Sequence, residues 1–225
     1  MNNITIICPY LFENEVLNIK KVLGCEINTL FEKDHAKIGS DLMYEKLWKK
    51  TAPNDIFIMH ADMQPIELNW LEQVLVYVNK YSEAGMFGCK LLYPAKSDNK
   101  KHYIQSTGGK ITNNIPEHHG SGIDMFTGKI WGQPEEDNGQ YDYVREVSWT
   151  TFGGVYIRRA LLDQVGDFDR RYEWSYNRDV DYCLEARKLG WKIYQIPVEI
   201  LHFESKDNKR IRNDELNQKE ARNLK

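Results

Sequence analysis

The chain has 225 residues, of which 41% are hydrophobic, 28% charged and 12% aromatic, a composition that excludes a disordered polymer and is enough to bury a substantial core. Thirty basic residues against 33 acidic ones leave a net charge of −3, so no global basic field argues for a nucleic-acid partner. No run approaches the roughly 20 apolar residues that span a bilayer, and Met1-Asn2-Asn3 lacks the basic flank of a secretory leader. These features lead us to expect a cytoplasmic protein with at most peripheral membrane association.

Residues 4–8 read as a first strand, stopped by Pro9. Residues 13–23 carry Val16, Leu17, Ile19, Val22 and Leu23 near helical spacing and end at Gly24. A second strand is expected over 27–31, then a helix capped by Ser40-Asp41 and running to Lys50, with Leu42, Met43, Leu47 and Trp48 inward. The run Ile56-Phe57-Ile58-Met59, bounded by Pro53-Asn54-Asp55 and by Pro65, reads as a strand covered on both faces. The first 65 residues therefore alternate β-α-β-α-β, the pattern of a parallel, doubly wound half.

Pro65 is expected to begin a helix with Leu68, Trp70, Leu71, Val74, Leu75 and Val78 inward, followed by a strand over 85–93. Between 94 and 142 glycines, prolines and short polar runs predict loops and hairpins. Order returns over 144–157, with a helix over 159–165 closed by Gly166. An amphipathic helix over 179–189 places Val180, Cys183, Leu184 and Leu189 inward, with Gly190 as its cap. Strands over 191–196 and 199–203 flank a turn at Pro197, and a polar segment closes the chain. Cys8, Cys25, Cys89 and Cys183 form no C-x-x-C pair and sit in apolar stretches, as buried free thiols do. The chain carries no internal repeat.

Three places could carry chemistry. His60-Ala61-Asp62 ends a buried strand, where open α/β sheets hold ligands, and offers carboxylate and imidazole to a divalent ion. By itself the tripeptide reads first as a solvated loop or a helix cap. Asp179 and Asp181 open the amphipathic helix, where carboxylates are also favoured as caps. Their aromatic approach, 172–182 with Trp174, has the composition of a sugar-binding wall. His202 ends the last strand, where a histidine is often a satisfied structural residue.

The order of these blocks resembles the family 2 glycosyltransferases of the GT-A fold, in particular the rhamnosyltransferase-like branch. NDIFIMHADMQPIELNWLEQVL resembles that family's metal-binding strand and following helix. GMFGCKLLYP and IQSTGGKI resemble its next strand and loop, and VSWTTFGGVYIRRALLDQVGDFDRRYEWSYNRDVDYCLEARKLGWKIYQIPVEILHF resembles its acceptor half. The resemblance implies an α/β fold with a mostly parallel central sheet flanked by helices. It implies one catalytic domain over 1–205, with 1–93 holding the nucleotide sugar and 94–205 the acceptor, and a polar tail over 206–225.

The implied activity is metal-dependent, inverting transfer of a sugar from a nucleoside-diphosphate sugar to a hydroxyl of a glycan or lipid-linked glycan. Asp62 matches the metal-binding carboxylate of the family's D-x-D motif, and His60 stands where its first acid would be. Asp179 matches the general base, the second member of a Glu-Asp pair, and His202 a histidine that completes the metal site. Gly153 and Gly154 match small residues lining the donor sugar, and Pro9 joins the donor-binding set. Glu32 or Asp34 stands in for the Asp-rich turn that reads the nucleotide base.

Arg178 replaces the acid before the base, and could hold Asp179 ionised or contact a charged acceptor. Lys206 and Arg210 are a solvated terminal face, or the cations of a lid over the diphosphate. The cofactor is expected to be Mn2+ or Mg2+, with histidine in place of an acid favouring Mn2+. Two other readings are a nucleotidyltransferase, which lacks here a Gly-rich phosphate loop after the first strand, and a catalytically silent nucleotide-sugar or glycan-binding module. The sequence leaves the oligomeric state open.

Overall fold

The first apolar run builds the strand around which the N-terminal half forms. The structure, a computed structural model, describes residues 3–23, 27–95, 101–113, 115–121, 134–172 and 177–203. Cys25, Trp174, Lys206 and Arg210, and the whole expected tail, lie outside the described residues. β1 (Ile4–Tyr10) buries Ile6, Ile7 and Cys8 completely; α1 (Glu13–Leu23) follows, and β2 (Thr29–Lys33) pairs parallel to β1. α2 (Ser40–Lys50) then leads to β3 (Asp55–Ile58), parallel to β1 on its other side. This is the expected β-α-β-α-β unit.

Next come β4 (Met63–Pro65), α3 (Trp70–Lys80), β5 (Ala84–Tyr93) and β6 (Tyr103–Ser106), then β7 (Gly109–Thr112) and β8 (Ile115–His118), which form a hairpin of their own. β9 (Arg145–Glu146), β10 (Val155–Ile157), α4 (Arg159–Val165), α5 (Arg178–Lys188) and β11 (Lys192–His202) complete the described chain. Among the described residues one nine-stranded sheet runs β2-β1-β3-β10-β5-β11-β4, with β6 on β5 and β9 on β11. β10 is antiparallel to both neighbours and β4 antiparallel to β11, whereas β5 and β11 are parallel.

Strand alternation divides the core into two layers. Ile56 and Ile58 of β3 join a cluster with Tyr44, Leu47 and Trp48 of α2, Leu161 of α4 and Val180 of α5. Phe57 faces the other way, toward Val16 and Ile19 of α1 and Trp70 and Val74 of α3. Helices thus cover both faces, the condition that makes β3 a continuous apolar run.

Several boundaries differ from the sequence reading. Pro9 does not stop β1, because strand alternation turns its missing N–H toward β3, whose pairing ends at Ile7↔Ile58. β2 starts two residues later than expected. The N-cap of α2 is Gly39, at φ +95°, so Ser40 and Asp41 lie inside the first turn and not at the cap. Pro65 ends β4 and does not begin a helix: Ile66 N–H donates to Glu199 O, keeping the chain on β11, and Leu68 is fully exposed. Pro197 lies within β11, where a register shift between Ile196 and Glu199 absorbs the missing donor. Leu189 follows α5 and is 53% exposed, not inward. Cys8, Cys89 and Cys183 are buried free thiols, as expected. Among the described residues no helix is long and apolar enough to cross a membrane.

One buried cation ties the irregular segment before β9 to the sheet. Lys90 of β5, 1% exposed at its side chain, bonds Asp137 at 2.9 Å, Glu199 at 2.6 Å and Asp142. Burial opposes its charge, but hydrogen bonds to Asp142, Glu199 and Asp137 outweigh that cost and raise its pKa. Lys90→Met should therefore lower unfolding free energy by about 3 kcal/mol, since the carboxylates of Asp137, Glu199 and Asp142 lose a buried counter-charge. Urea denaturation followed by far-UV circular dichroism measures the loss, and a change under about 0.5 kcal/mol would show the cluster to be solvated.

Candidate active site

β3 leaves the sheet after Ile58, and the chain turns through His60-Ala61-Asp62 before returning as β4, with Met63 N–H donating to His60 O at 3.2 Å. β4 then pairs with the end of β11 so that His202 lies opposite Met63, and Phe203 N–H donates to Asp62 O at 2.9 Å. This crossing gathers the three predicted ligands. His60 Nδ1 is 3.4 Å from His202 Nε2, which is 3.3 Å from Asp62 Oδ1. One ligand atom of each lies within 4.8 Å of the others, and all three residues are half-buried. Two imidazole nitrogens and a carboxylate oxygen form a donor set that suits a borderline divalent cation.

Packing holds the rings in place. His60 stacks on Tyr44 of α2, with centroids 5.9 Å apart and planes 12° apart, and meets His202 edge-on. Gly153 closes the other side: a Cβ there would lie 2.5 Å from Met63 Cε and 3.1 Å from the His60 ring. The other nitrogen of His202, Nδ1, lies 2.7 Å from Gln105 Oε1 on β6.

Asp179 lies in the first turn of α5. Its carboxylate accepts from Val180 N–H at 2.8 Å and from the backbone of Phe152, the residue next to Gly153. Burial, reinforced by the Asp41 carboxylate, pushes its pKa well above the usual range against those backbone bonds. Arg178 does not hold Asp179 ionised. Its guanidinium is buried, donates to Tyr172 O at 3.1 Å and sits 4.0 Å from Asp41 of α2. Asp181 accepts from Tyr172 O–H at 3.0 Å, a structural bond.

The remaining predicted residues are spread around this centre. Pro9 is half-buried near the end of β1. Glu32 of β2 pairs with Lys46 at 2.5 Å and with Lys50, and those lysines lower its pKa. Asp34 accepts from the N–H groups of Ile38 and Gly39 at 3.0 and 2.9 Å, so it shapes the entry to α2. Gly154, at φ +67°, bonds β3 and β5 through its backbone and turns its Cα toward Leu91 and Ile200, not toward His60. Tyr44 and Gln105 escaped the sequence reading, and Asp41 entered it only as a helix cap. Of the two that escaped, only Gln105 had a signal there, as part of the IQSTGGKI segment that carries the family resemblance.

No protein-family profile matches the chain. The O-antigen biosynthesis protein RfbC of Myxococcus xanthus is 23% identical over 163 residues, 70% of this chain and 11% of that protein. The N-acetylglucosaminyl-diphospho-decaprenol L-rhamnosyltransferase of Mycobacterium tuberculosis is 37% identical over 62 residues, 27% of this chain and 20% of that protein. The chain therefore spans at most a fifth of the length of these curated relatives. In three dimensions it is similar to GalNAc-T7 crystallised with UDP, GalNAc and Mn2+, at TM-score 0.61 and 9% identity over 90% of this chain and 44% of that one. It is also similar to the mannosyltransferase PcManGT of Pyrobaculum calidifontis in complex with GDP-Man and Mn2+, at 0.57 and 10% over 92% and 58%. The fold is that of the GT-A glycosyltransferases. The names of the sequence relatives support the rhamnosyltransferase-like resemblance.

The contact at Gly153 makes a direct prediction. Gly153→Ala should push the His60 ring off Tyr44 and weaken Mn2+ binding by about tenfold or more, the scale at which displaced ligand support acts. Isothermal titration of Mn2+ into each protein measures it, and equal affinities would show that His60 is no ligand.

Proposed function

We propose that this chain carries out metal-dependent, inverting transfer of a sugar from a nucleoside-diphosphate sugar to a hydroxyl of a glycan or lipid-linked glycan. The observation that carries this reading is the meeting of His60 and Asp62 with His202, 142 residues further along the chain, beside the exit of a buried strand. A divalent cation held by His60, Asp62 and His202 would neutralise charge on the departing diphosphate. Pro9, Glu32 and Asp34 frame the nucleotide side of the donor, and Gly153 its sugar side, with Gly154 turning the chain into the sheet behind it.

Asp179 takes the proton of the acceptor hydroxyl as that oxygen attacks the anomeric carbon from the face opposite the diphosphate. The backbone bonds from Phe152 and Val180 aim its carboxylate, while burial and Asp41 strengthen it as a proton acceptor. Arg178 braces α5 against α2 through Asp41 and the Tyr172 carbonyl. The acceptor and donor named for the mycobacterial relative support a lipid-linked acceptor and a rhamnosyl donor.

Incubation with Mn2+ and a panel of nucleotide sugars should release nucleoside diphosphate. Asp179→Asn should lower turnover about 10²- to 10⁴-fold, the usual weight of a general base. Asp62→Ala should abolish the Mn2+-dependent release of nucleoside diphosphate. Donor binding without turnover in the wild type points to a silent binding module, and pyrophosphate release from a nucleoside triphosphate to a nucleotidyltransferase.

The pH profile carries the sign of the Asp179 shift. A base must be ionised to accept a proton, so turnover rises as pH climbs through a pKa that lies above the ordinary carboxylate range. Asp41→Asn removes a charge that raises that pKa, so the acid limb of the kcat profile should move to lower pH. A limb that stays in place would show that Asp41 does not reach the base.

A further inference from the structure

Gln105 is 7% exposed and sits on β6, whose alternation sends neighbouring side chains to opposite faces. Ser106 faces His118, at 3.3 Å, while Gln105 faces the metal-ligand group. Its Oε1 lies 2.7 Å from His202 Nδ1. An amide oxygen only accepts, so the imidazole nitrogen facing it carries the ring proton. The lone pair of the neutral ring is then on Nε2, the nitrogen 3.3 Å from Asp62 and 3.4 Å from His60. The opposite tautomer would give an N–H to the Asp62 carboxylate at 3.3 Å, but it would set the Nδ1 lone pair against Gln105 Oε1 at 2.7 Å, the shorter contact, and leave no lone pair on Nε2 for a cation.

We propose that Gln105 is a positioning residue that sets the Nδ1-protonated tautomer of His202 and so makes Nε2 available as a ligand. The consequence for ligation rests on the metal reading above; the tautomer does not. An amide in this place orients the ring without adding negative charge to the site, unlike the carboxylate that often supports a ligating histidine.

The test uses the full chain, wild type and two variants: Gln105→Met, which keeps the length but has no oxygen acceptor, and Gln105→Glu, which keeps the acceptor. Long-range 1H–15N spectra of the metal-free protein, at a pH where the ring is neutral, read the His202 tautomer directly. The Nδ1-protonated form is expected in wild type and Gln105→Glu, and its loss in Gln105→Met. Titration with Mn2+ alone should give a dissociation constant about 10- to 100-fold weaker for Gln105→Met, with Gln105→Glu at least as tight as wild type.

An Nε2-protonated His202 in wild type, or a Gln105→Met variant unchanged in tautomer and Mn2+ affinity, overturns the proposal. Should Gln105→Met fail to fold, the wild-type tautomer and Gln105→Glu still decide it. Asp62→Ala separates the two readings: equal Mn2+ binding by Asp62→Ala and wild type defeats the metal site, while the spectra still rule on Gln105.

Discussion

The register of β4 against β11 is the constraint on which the site depends. With Met63 opposite His202, and Phe203 N–H on Asp62 O, residues far apart in the chain are held at the same level of the sheet. A slip of one residue would turn His202 to the opposite face, because side chains alternate along a strand. The register is secured from both sides. Met63, Pro65 and Ile200 are buried, and the buried Lys90 holds Glu199, so sliding β11 would expose apolar side chains and strip a buried cation of a partner.

α2 supplies the second support. It lays Tyr44 under His60, and it places Asp41 between Arg178 and the field of Asp179. A buried arginine and carboxylate near each other are costly to desolvate, and their value here lies in specifying how two helix starts meet. The acidic charge that acts on Asp179 comes from another helix and not from position 178 beside it. Its effect on Asp179 is to favour the protonated form.

β10 sits at the centre of the sheet. Lying antiparallel between β3 and β5, it continues from Gly153 and Gly154, so the loop before it passes directly over His60. Phe152 reaches Asp179 from the same loop. The glycines therefore divide their tasks: Gly153 leaves room for a ring, and Gly154 permits the left-handed turn into the sheet.

Local patterning made much of this legible in advance. Helical spacing located α1, α2, α4 and most of α5, and the apolar run before His60 identified a strand buried on both faces, because those signals arise from neighbours in the chain. His60, Asp62, Asp179 and His202 could be named from their places at element ends. The strand roles of Pro9, Pro65 and Pro197 were not legible, since whether a proline ends a strand depends on which edge its missing N–H faces. Nor could residue types reveal that Arg178 meets Asp41, or that Gln105 meets His202. By itself the sequence determined the elements and the chemistry available at their ends. Only the tertiary structure decided which ends converge and which nitrogen of His202 faces the site, because both depend on register and contact between strands distant in the chain.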